Sequence, residues 1–415
     1  MNGIIIYINL ALSFIISYRL FDDILLASVT SVVLVLGAYA FRTYEYESLE
    51  SLNEQFVRML VSTFFTALFV LLINSFDSVP LPNHKIIAGI ILVYFALPFV
   101  NFLCYNLFVN MLQRPKEYLV IGRREEIGHI LDEITQKSKG RYIFAEYINP
   151  SPVSVKEKIK EYDNILVANF ELYRRARYLI EPYKNQKKIE YLSDLSEQVL
   201  KRIPLEVIDK FREYYTLEFE KAKDSPAKRI LDILCGIVGI ILFSPLIAIF
   251  SLMILIEDGP PVVFKQRRVG KNNKEFLLVK LRSMRKQTSG TPKFADQEKD
   301  RILRVGKIIR PTRIDESLQF WNILKGDMSI VGPRPEQIPF VREFEQKIPY
   351  YSYRHKLKPG LTGWAQIMYQ YSSTLEEVKK KLEYDLYCIK NRSTLMDLRI
   401  ILQTIEAIFW RRGAR

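Results

Sequence analysis

Four long apolar runs open the chain, at residues 4–17, 24–41, 57–73 and 86–109. Runs of this length and composition are typical of membrane-spanning helices. The first run is short for a span, but residues 1–21 carry only Arg19 as a charged side chain. Because no early basic region and no small-residue cleavage site are present, we expect a retained helix rather than a signal peptide. The pattern therefore predicts a four-helix transmembrane domain over residues 1–112.

Short apolar runs and amphipathic stretches alternate over residues 115–200. Strands are predicted at residues 118–122, 162–168 and 189–192. A helical pattern follows the first strand at 127–134, so we expect a small Rossmann-like α/β domain. After Gly122 the chain continues Arg-Arg-Glu-Glu, and the glycine fingerprint that binds a pyrophosphate is missing. A structural or regulatory role is favoured over a nucleotide site, and residues 201–226 are expected to be a linker.

A fifth apolar run covers residues 230–256. Its length alone would allow a simple fifth crossing. The basic residues on its two flanks are Lys221, Lys223, Lys228 and Arg229 before it, and Lys265, Arg267, Arg268, Lys271 and Lys274 after it. Positive charge on both sides disfavours a crossing. Ser244-Pro245 lies near the middle, where proline kinks a helix and the serine hydroxyl can satisfy a freed carbonyl. We therefore expect a re-entrant helix that returns to the face it entered.

Orientation follows from the basic residues after the fourth run. They are Arg114, Lys116, Arg123 and Arg124. Basic segments next to spans stay in the cytoplasm. Four spans then place both the N-terminus and the region after residue 112 on the cytoplasmic side.

Composition narrows the partners of this 415-residue chain. It is 49% hydrophobic with a formal net charge of +14. The apolar blocks make anionic lipid and phosphate ligands the expected partners, and without zinc-finger spacing or a basic-region helix nucleic acid is not expected. Three unpartnered cysteines predict no disulfide framework. Three scattered histidines predict no histidine-based metal site, so a metal would need oxygen ligands, which favours Mg²⁺.

The candidate chemistry centres on Asp315 and Glu316, which follow Arg304, Arg310 and Arg313. Adjacent acids at a helix start are common, and alone they carry no function. Arginine neighbours lower carboxylate pKa values, so we expect both acids to be ionised at neutral pH. An ionised carboxylate can attack phosphorus when cations and Mg²⁺ mask the phosphate charge, and a second acid can hold that metal. Residues 318–324 predict a helix packed behind the pair.

Further cations lie on both sides of the pair in the sequence. Residues 276–284 predict a strand with Lys280 and Arg282 on one face, which suits a diphosphate; a solvated basic edge is the alternative. The prolines of the loop at 332–336 would hold Arg334 stiffly for a phosphate, and a surface turn is the alternative.

Two C-terminal segments complete the pattern. Residues 353–364 join a basic patch to a glycine-rich loop, and this patch could bind phosphate or a lipid headgroup. Residues 395–410 are amphipathic and run into Trp410-Arg411-Arg412, which fits a helix in the membrane interface or one that faces a core.

In order and spacing, these motifs resemble the monotopic polyprenyl-phosphate phosphoglycosyl transferases, the bacterial sugar transferases, from about Lys228 onward. The matching motifs are Lys228-Arg229 with Asp232, Ser244-Pro245, Gln266-Arg267-Arg268-Val269-Gly270, Lys280-Leu281-Arg282-Ser283-Met284, Arg313-Ile314-Asp315-Glu316, Gly332-Pro333-Arg334-Pro335-Glu336 and Pro359-Gly360-Leu361-Thr362-Gly363-Trp364. The N-terminal half looks like the long form of this family, a topological and weaker match. The fold expected is a membrane protein of α/β class: a four-helix transmembrane bundle, a Rossmann-like domain, and a mostly helical catalytic domain over 227–415 with the re-entrant helix.

The resemblance implies a two-step reaction at the cytoplasmic face of the bacterial inner membrane. Asp315 would attack the sugar-proximal phosphate of a UDP-sugar, expected to be UDP-glucose or UDP-galactose, and release UMP. Undecaprenyl phosphate would then take the sugar phosphate from the aspartate, as the first membrane step of exopolysaccharide, capsule or O-antigen synthesis. Glu316, with Asp315, would bind Mg²⁺.

The resemblance also assigns phosphate binding to the cations Lys280, Arg282, Arg334, Arg313, Arg267 and Arg268. Long-form relatives imply a homodimer in the lipid bilayer. Two rival functions remain open: a non-catalytic scaffold of a polysaccharide assembly complex, and a glycosyltransferase that releases UDP.

Overall fold

The computed structural model describes residues 2–49, 51–76, 82–112, 115–149, 157–285, 301–369 and 374–409. The chain divides into two compact units. The first comprises Met1–Arg114 with Leu398–Glu406, and the second comprises Pro115–Asp397 with Ala407–Arg415.

The first unit is built from apolar helices. They are α1 (Asn2–Phe21), α2 (Ile24–Ala40), the short α3 (Tyr46–Leu49), α4 (Leu52–Ser75) and α5 (Asn83–Leu112). By length and composition, the stretches Gly3–Phe21, Leu52–Ser75 and His84–Leu107 could each cross a membrane. Helix α2 is equally apolar, but at 17 residues it is shorter than these three. The prediction of four apolar N-terminal helices is therefore confirmed.

Buried amides connect these helices. Asn9 of α1 donates to Asn101 of α5, and Asn101 donates to Gln55 of α4 over 2.9 Å. Gln55 in turn donates to the carbonyl of Thr43, in the turn after α2, over 2.6 Å. All three amides are fully buried. Since lipid offers no partner for an amide, this chain of hydrogen bonds ties the four helices together.

The second unit begins with a parallel sheet. Its strands are β1 (Lys116–Ile121), β2 (Tyr142–Ile148), β3 (Asn164–Val167) and β4 (Lys188–Tyr191), in the spatial order β2-β1-β3-β4 and all parallel. Helices α6 (Arg124–Lys137), α7 (Phe170–Ile180) and α8 (Leu192–Leu200) connect or follow them. The three predicted strands and the first helix are confirmed, and β2 was missed. It is an edge strand with only its two ends fully buried, and Glu146 interrupts its apolar run.

Packing accounts for Gly122 at the end of β1. A Cβ there would lie 3.0 Å from the Cβ of Ala168, which follows β3. The expected linker then forms α9 (Leu205–Lys210) and α10 (Arg212–Glu220), and Tyr215 and Phe219 of α10 are fully buried in the core. The middle of the segment 201–226 is thus helical and packed into the core, where a linker was expected.

The long helix α11 runs from Pro226 to Asp258 as one element with Pro245 inside it. Ser244 donates to the carbonyl of Ile241 over 2.9 Å, as a serine beside a helix proline is expected to do. The candidate span on this helix is only 11% buried, so most of its apolar surface faces outward.

Both ends of α11 are held by the second unit. At the start, Arg229 donates to the carbonyls of Ile323 and Leu324 over 2.8 and 2.7 Å. At the end, the Glu257 carboxylate accepts from the backbone amides of Arg304 and Val305. Residues near both ends of α11 are therefore hydrogen-bonded to the second unit.

The second unit continues with the strands and helices that follow α11 along the chain. They are β5 (Val263–Val269), β6 (Glu275–Leu281), α12 (Arg304–Ile309), α13 (Gln319–Lys325), β7 (Ser329–Val331), α14 (Ile338–Lys347), β8 (Gly360–Thr362), α15 (Trp364–Met368) and α16 (Leu375–Lys390). Strands β5 and β6 pair antiparallel, and β7 and β8 pair parallel. Short 3₁₀ turns cover Glu181–Tyr183, Lys271–Asn273, Ile314–Glu316 and Tyr351–Lys356.

The last helix, α17 (Thr394–Phe409), contributes to both units. Asp397, in the second unit, forms a buried ion pair with Lys228 at 2.8 Å. In the first unit, Ile400 is fully buried and Gln403 donates to the carbonyl of Ala40 over 2.7 Å. One face of the amphipathic pattern is therefore packed against protein. Its continuation Trp410-Arg411-Arg412 lies outside the described residues.

Candidate active site

Asp315 and Glu316 lie in a single 3₁₀ turn between α12 and α13. The turn opens at Arg313, whose φ of 57° is left-handed. Ile314 and Leu318 pack into a cluster with Ile254 of α11, which fixes the turn from behind. Both carboxylates are buried, at 6% and 9% exposure. The predicted helix behind the pair is confirmed and begins at Gln319.

Glu316 is held as a carboxylate by two arginines. Arg313 and Arg334 both contact its Oε1, at 3.2 and 2.8 Å. Burial raises the pKa of Glu316, but Arg334 and Arg313 outweigh it and lower the pKa to about 2. Glu316 is therefore ionised throughout the physiological range, as expected.

Asp315 behaves in the opposite way, so the expected lowering of its pKa was wrong. Burial raises the pKa of Asp315 to about 6, and the negative charge of Glu316 adds to this effect. Three cations, Lys280, Arg310 and Arg313, act in the other direction without cancelling it. The sequence shows the arginines near Asp315, but it does not show how deeply the fold buries the carboxylate, and burial has the largest effect on its pKa. Asp315 is still mostly ionised at neutral pH, but as a more basic carboxylate.

Two cations near Asp315, Lys280 and Arg310, have no anionic partner among the residues that the structure describes. Lys280 projects from β6 over the ring of Phe264, 5.3 Å from its centroid. Burial lowers the pKa of Lys280, and Asp315 and Glu316 oppose that lowering. Within the described ranges, the side chains of Lys280 and Arg310 form no hydrogen bond or ion pair. Cations partly withdrawn from water and left unpaired beside a carboxylate are suited to receive an anionic ligand.

The loop at 332–336 presents Arg334 from between two strands. The amide of Gly332 donates to the carbonyl of Thr362, and the amide of Gly360 donates to the carbonyl of Pro333, both over 2.9 Å. The backbones approach so closely that a Cβ on Gly332, Gly360 or Gly363 would clash with main-chain atoms. The two glycine-rich motifs of the sequence therefore pack against each other, and the loop is fixed rather than a free surface turn.

Buried charges hold the loop from its other side. Arg354 donates to the carbonyl of Arg334 over 3.0 Å and pairs with Asp385 of α16 at the same distance. Lys381, also on α16, contacts Glu336 at 3.3 Å. Burial raises the pKa of Glu336, but Lys381 and Arg354 outweigh it and lower the pKa to about 2. In this arrangement, Arg354 of the basic patch at 353–364 supports the loop that carries Arg334.

The other predicted phosphate ligands, Arg267, Arg268 and Arg282, have different surroundings in the structure. Arg268 is half-buried and donates to the carbonyl of Pro335 over 3.2 Å, and desolvation lowers its pKa to about 10. Arg267, its neighbour on β5, points the other way with its side chain 76% exposed, and it contacts Glu275. Strand β6 ends before Arg282, whose guanidinium donates to the carbonyls of Asp258 and Gly259 at the end of α11. In the described structure, the Arg282 guanidinium therefore donates its hydrogen bonds to the end of α11 and none to Asp315 or Glu316.

The carboxylates of Asp315 and Glu316 fit Mg²⁺ only if a substrate supplies further oxygen ligands. In the part of the chain that the structure describes, no group of three or more His, Cys, Asp or Glu side chains could hold a metal ion. Both arginines contact Oε1 of Glu316, which leaves Oε2 and the Asp315 carboxylate as oxygen donors. Mg²⁺ is commonly held by one or two carboxylates together with substrate phosphates and water.

Sequence reasoning missed the residues that position Arg334. Asp385 and Lys381 lie about 50 residues further along the chain, in a helix whose local pattern signals only amphipathicity. Gln366 of α15 accepts a hydrogen bond from Arg334 Nη1 over 3.1 Å. Gln366 lies two residues after the glycine-rich motif that ends at Trp364, and this motif was the only sequence signal close to it.

Comparison with known proteins places the chain in a family. Residues 223–411 match the family model described as bacterial sugar transferase. Over 189 residues the chain is 46% identical to the UDP-N-acetylgalactosamine-undecaprenyl-phosphate N-acetylgalactosaminephosphotransferase of Aeromonas hydrophila, covering 45% of each chain. Over 190 residues it is 37% identical to the UDP-glucose:undecaprenyl-phosphate glucose-1-phosphate transferase of Escherichia coli (strain K12), covering 45% of this chain and 41% of that one.

A shorter relative is matched almost completely. The exopolysaccharide production protein PSS of Rhizobium leguminosarum bv. phaseoli is 36% identical over 189 residues, which is 44% of this chain and 94% of the relative. The chain therefore belongs to the bacterial sugar transferase family. The alignment spans less than half the length of the first two relatives.

Proposed function

We propose that this protein transfers a sugar 1-phosphate from a UDP-sugar to undecaprenyl phosphate at the membrane. The observation that carries the proposal is the buried Asp315 carboxylate near Lys280 and Arg310, two cations that form no ion pair with any residue the structure describes. An anionic nucleophile can approach a diphosphate only where cations offset their repulsion. The substrates named for the relatives, UDP-sugars and undecaprenyl phosphate, supply such a diphosphate and a phosphate acceptor.

In the first step, a carboxylate oxygen of Asp315 attacks the sugar-proximal phosphorus. The bond from that phosphorus to the bridging oxygen breaks, and UMP leaves with the electron pair. In the second step, an oxygen of the lipid phosphate attacks the same phosphorus, and the bond to Asp315 breaks. The carboxylate is restored, and the product is undecaprenyl diphosphate-sugar.

The surrounding residues have separate roles. Lys280 and Arg310 offset the phosphate charge, and Arg334 holds Glu316 in place. Asp315 and Oε2 of Glu316 would hold Mg²⁺, which when bound neutralises charge on the donor diphosphate.

The test is a UMP-release assay on the full-length protein with undecaprenyl phosphate. UDP-glucose, UDP-galactose and UDP-N-acetylgalactosamine form the donor panel. We expect UMP from at least one donor and, by mass spectrometry without acceptor, a phosphosugar adduct on Asp315. Release of UDP would favour a glycosyltransferase. Absence of turnover with every donor, together with no adduct, would favour a scaffold.

We further propose that α11 is re-entrant and that the catalytic unit faces the cytoplasm. Support comes from the two ends of α11, which are both bonded to the same unit while the apolar surface between them faces outward. The measurement is labelling of single cysteines at Lys223 and Lys274, in a protein whose three native cysteines are replaced. Labelling of both sites from the same face of sealed vesicles is expected; labelling from opposite faces would mean a crossing. A homodimer stays a prediction.

A further inference from the structure

Asn322 connects the helix behind the carboxylate pair to the strand that carries Lys280. It lies in α13, and its Oδ1 accepts from the backbone amide of Val279 over 3.1 Å, while its Nδ2 donates to the carbonyl of Leu277 over 2.8 Å. Both backbone groups belong to β6, so the side-chain amide bonds this strand as one residue of a neighbouring parallel strand would. Lys280 follows Val279 directly along β6.

Helix stability and burial alone do not account for an asparagine at this position. The side chain is 2% exposed, and α13 has only seven residues. Asparagine forms helices less readily than leucine, and burying an amide is unfavourable unless hydrogen bonds replace those it made to water. The two short hydrogen bonds that offset this cost both go to β6. The contact with the strand is therefore what Asn322 provides.

The helix that carries Asn322 is itself fixed on α11. A Cβ added at Gly236 of α11 would lie 2.6 Å from the Leu324 side chain, and one at Gly239 would lie 2.5 Å from the ring of Phe320. Helix α13 also continues directly from the 3₁₀ turn that holds the carboxylate pair. Its amide is therefore a fixed point from which the strand is held.

The position of Lys280 depends on such a contact, because Lys280 and Asp315 lie 35 positions apart in the sequence. On its other edge β6 pairs with β5, where Phe264 is the partner of Lys280 and its ring lies 5.3 Å from the ammonium group. The contacts with β5 orient the lysine side chain. The hydrogen bonds of Asn322 set the distance between its strand and the turn that carries Asp315.

We infer that Asn322 is a positioning residue, which holds β6 against α13 so that the Lys280 ammonium group lies where the diphosphate of the donor binds. This inference rests on the proposed function. Asn322 acts through Lys280, since its own side chain is buried between the helix and the strand.

The principal test measures KM and kcat for the UDP-sugar in Asn322→Leu. Leucine has a similar size and removes both hydrogen bonds. We expect KM to rise about tenfold, less than the effect of removing Lys280, because the cation is displaced and not lost. The kcat should be nearly unchanged, as expected when only substrate binding is weakened. A purely structural loss would instead reduce the amount of folded enzyme and lower the apparent kcat at constant KM.

Asn169→Leu is the matched control. Asn169 accepts hydrogen bonds from the backbone amides of Glu171 and Leu172 at the start of α7, over 3.0 and 3.1 Å. This variant also loses two hydrogen bonds between an asparagine and the main chain, so the melting temperature should fall while KM stays unchanged. An equal rise of KM in both variants would contradict the inference. If Asn322→Leu does not fold, Asn322→Ser should raise KM in the same direction by a smaller factor.

A double-mutant cycle tests whether Asn322 acts through Lys280. In a Lys280→Met background, Asn322→Leu should raise KM no further, because the group it positions is absent. Additive effects on KM in this cycle would show that Asn322 acts elsewhere, and they would overturn the inference.

One measurement does not depend on turnover. Acetylation of Lys280 by an N-hydroxysuccinimide ester is followed by mass spectrometry in the full-length protein, with inorganic pyrophosphate as the anionic probe. Pyrophosphate should protect Lys280 in wild type, and half-protection should need about tenfold more of it in Asn322→Leu but not in Asn169→Leu.

The two assays separate the possible failures. If wild type releases no UMP from any donor but the shift in protection is found, the proposed function fails and the positioning role stands. If pyrophosphate does not protect Lys280 in wild type, or protects it equally in Asn322→Leu, the positioning role fails whatever the activity.

Discussion

Two buried charge clusters in the second unit differ in how completely they are paired. Arg202 is 4% exposed and contacts both Glu133 of α6 and Glu383 of α16, joining the parallel-sheet region to the catalytic region. Around Asp315, by contrast, Lys280 and Arg310 lie near a buried carboxylate without forming an ion pair in the described structure. The first cluster satisfies its charges internally, as a structural contact must. The second leaves cations available, which is what binding an anion requires.

The clusters are nevertheless connected. Glu383 binds Arg202, while Lys381 and Asp385 on the same helix hold Glu336 and Arg354 behind the active-site loop. The paired cluster thus anchors the helix on which the unpaired one depends. We therefore expect a substitution in the paired cluster to change mainly the stability of the fold, and a substitution in the unpaired cluster to change mainly the activity.

The largest expected effect is the loss of activity in Asp315→Asn. An amide cannot form the phosphosugar intermediate, so UMP release should fall by at least about a thousandfold. Stability should change in the other direction: removing a buried carboxylate whose pKa is raised should increase the melting temperature at pH 7.5. Retained turnover in this variant would remove Asp315 from the mechanism. An Asp327→Asn variant, at the turn after α13, serves as the charge-matched control.

A substitution in the paired cluster should lower the free energy of unfolding. Arg202→Met leaves two carboxylates without their arginine, and unfolding free energy should fall by about 3 kcal/mol. Burial raises the pKa of Glu383 to about 7, so protonation can relieve the unpaired charge. The loss should therefore be larger at pH 8 than at pH 6, as measured by denaturant unfolding in detergent. Lys347→Met, which breaks an exposed pair with Glu343, should change stability by less than about 0.5 kcal/mol.

Lys280→Met tests the unpaired cluster with a smaller effect. Loss of one cation from a phosphate site should reduce kcat/KM for the UDP-sugar about a hundredfold. Because Lys280 forms no ion pair with any described residue, stability should be nearly unchanged. Circular-dichroism melting alongside the kinetics separates the two. A marked drop in melting temperature would mean that Lys280 stabilises the fold, as Arg202 does.

The smallest effect is a shift in the pH profile. Since the pKa of Asp315 is raised to about 6, UMP release in wild type should fall as the pH drops through about 6. Glu316→Gln removes a charge that raises this pKa, so the residual activity of that variant should persist to lower pH. Rates measured at saturating donor between pH 4.5 and 8 decide this; an unmoved midpoint would show that Glu316 does not act on Asp315.

Much of this protein was predictable from local patterns. An apolar run is a local pattern of residues that face lipid or the protein core. The sequence therefore predicted the four N-terminal helices, three of the parallel strands and the helix after Glu316. The motifs around Asp315 and Arg334 also pointed to the family. Short-range spacing sufficed for these because each feature is encoded within one element.

Tertiary structure alone decided the electrostatics. The sequence places three arginines shortly before both acids, yet folding puts only Arg313 of these on Glu316, adds Arg334 from a separate loop, and leaves burial dominant at Asp315. It turns Arg282 to the end of α11 and brings Gln366, Arg354 and Asp385 behind Arg334 from distant positions. The types of residue available were determined by the sequence. Which charge meets which partner, and how far from water, depends on contacts across the fold, because pKa values follow burial and distance rather than order along the chain.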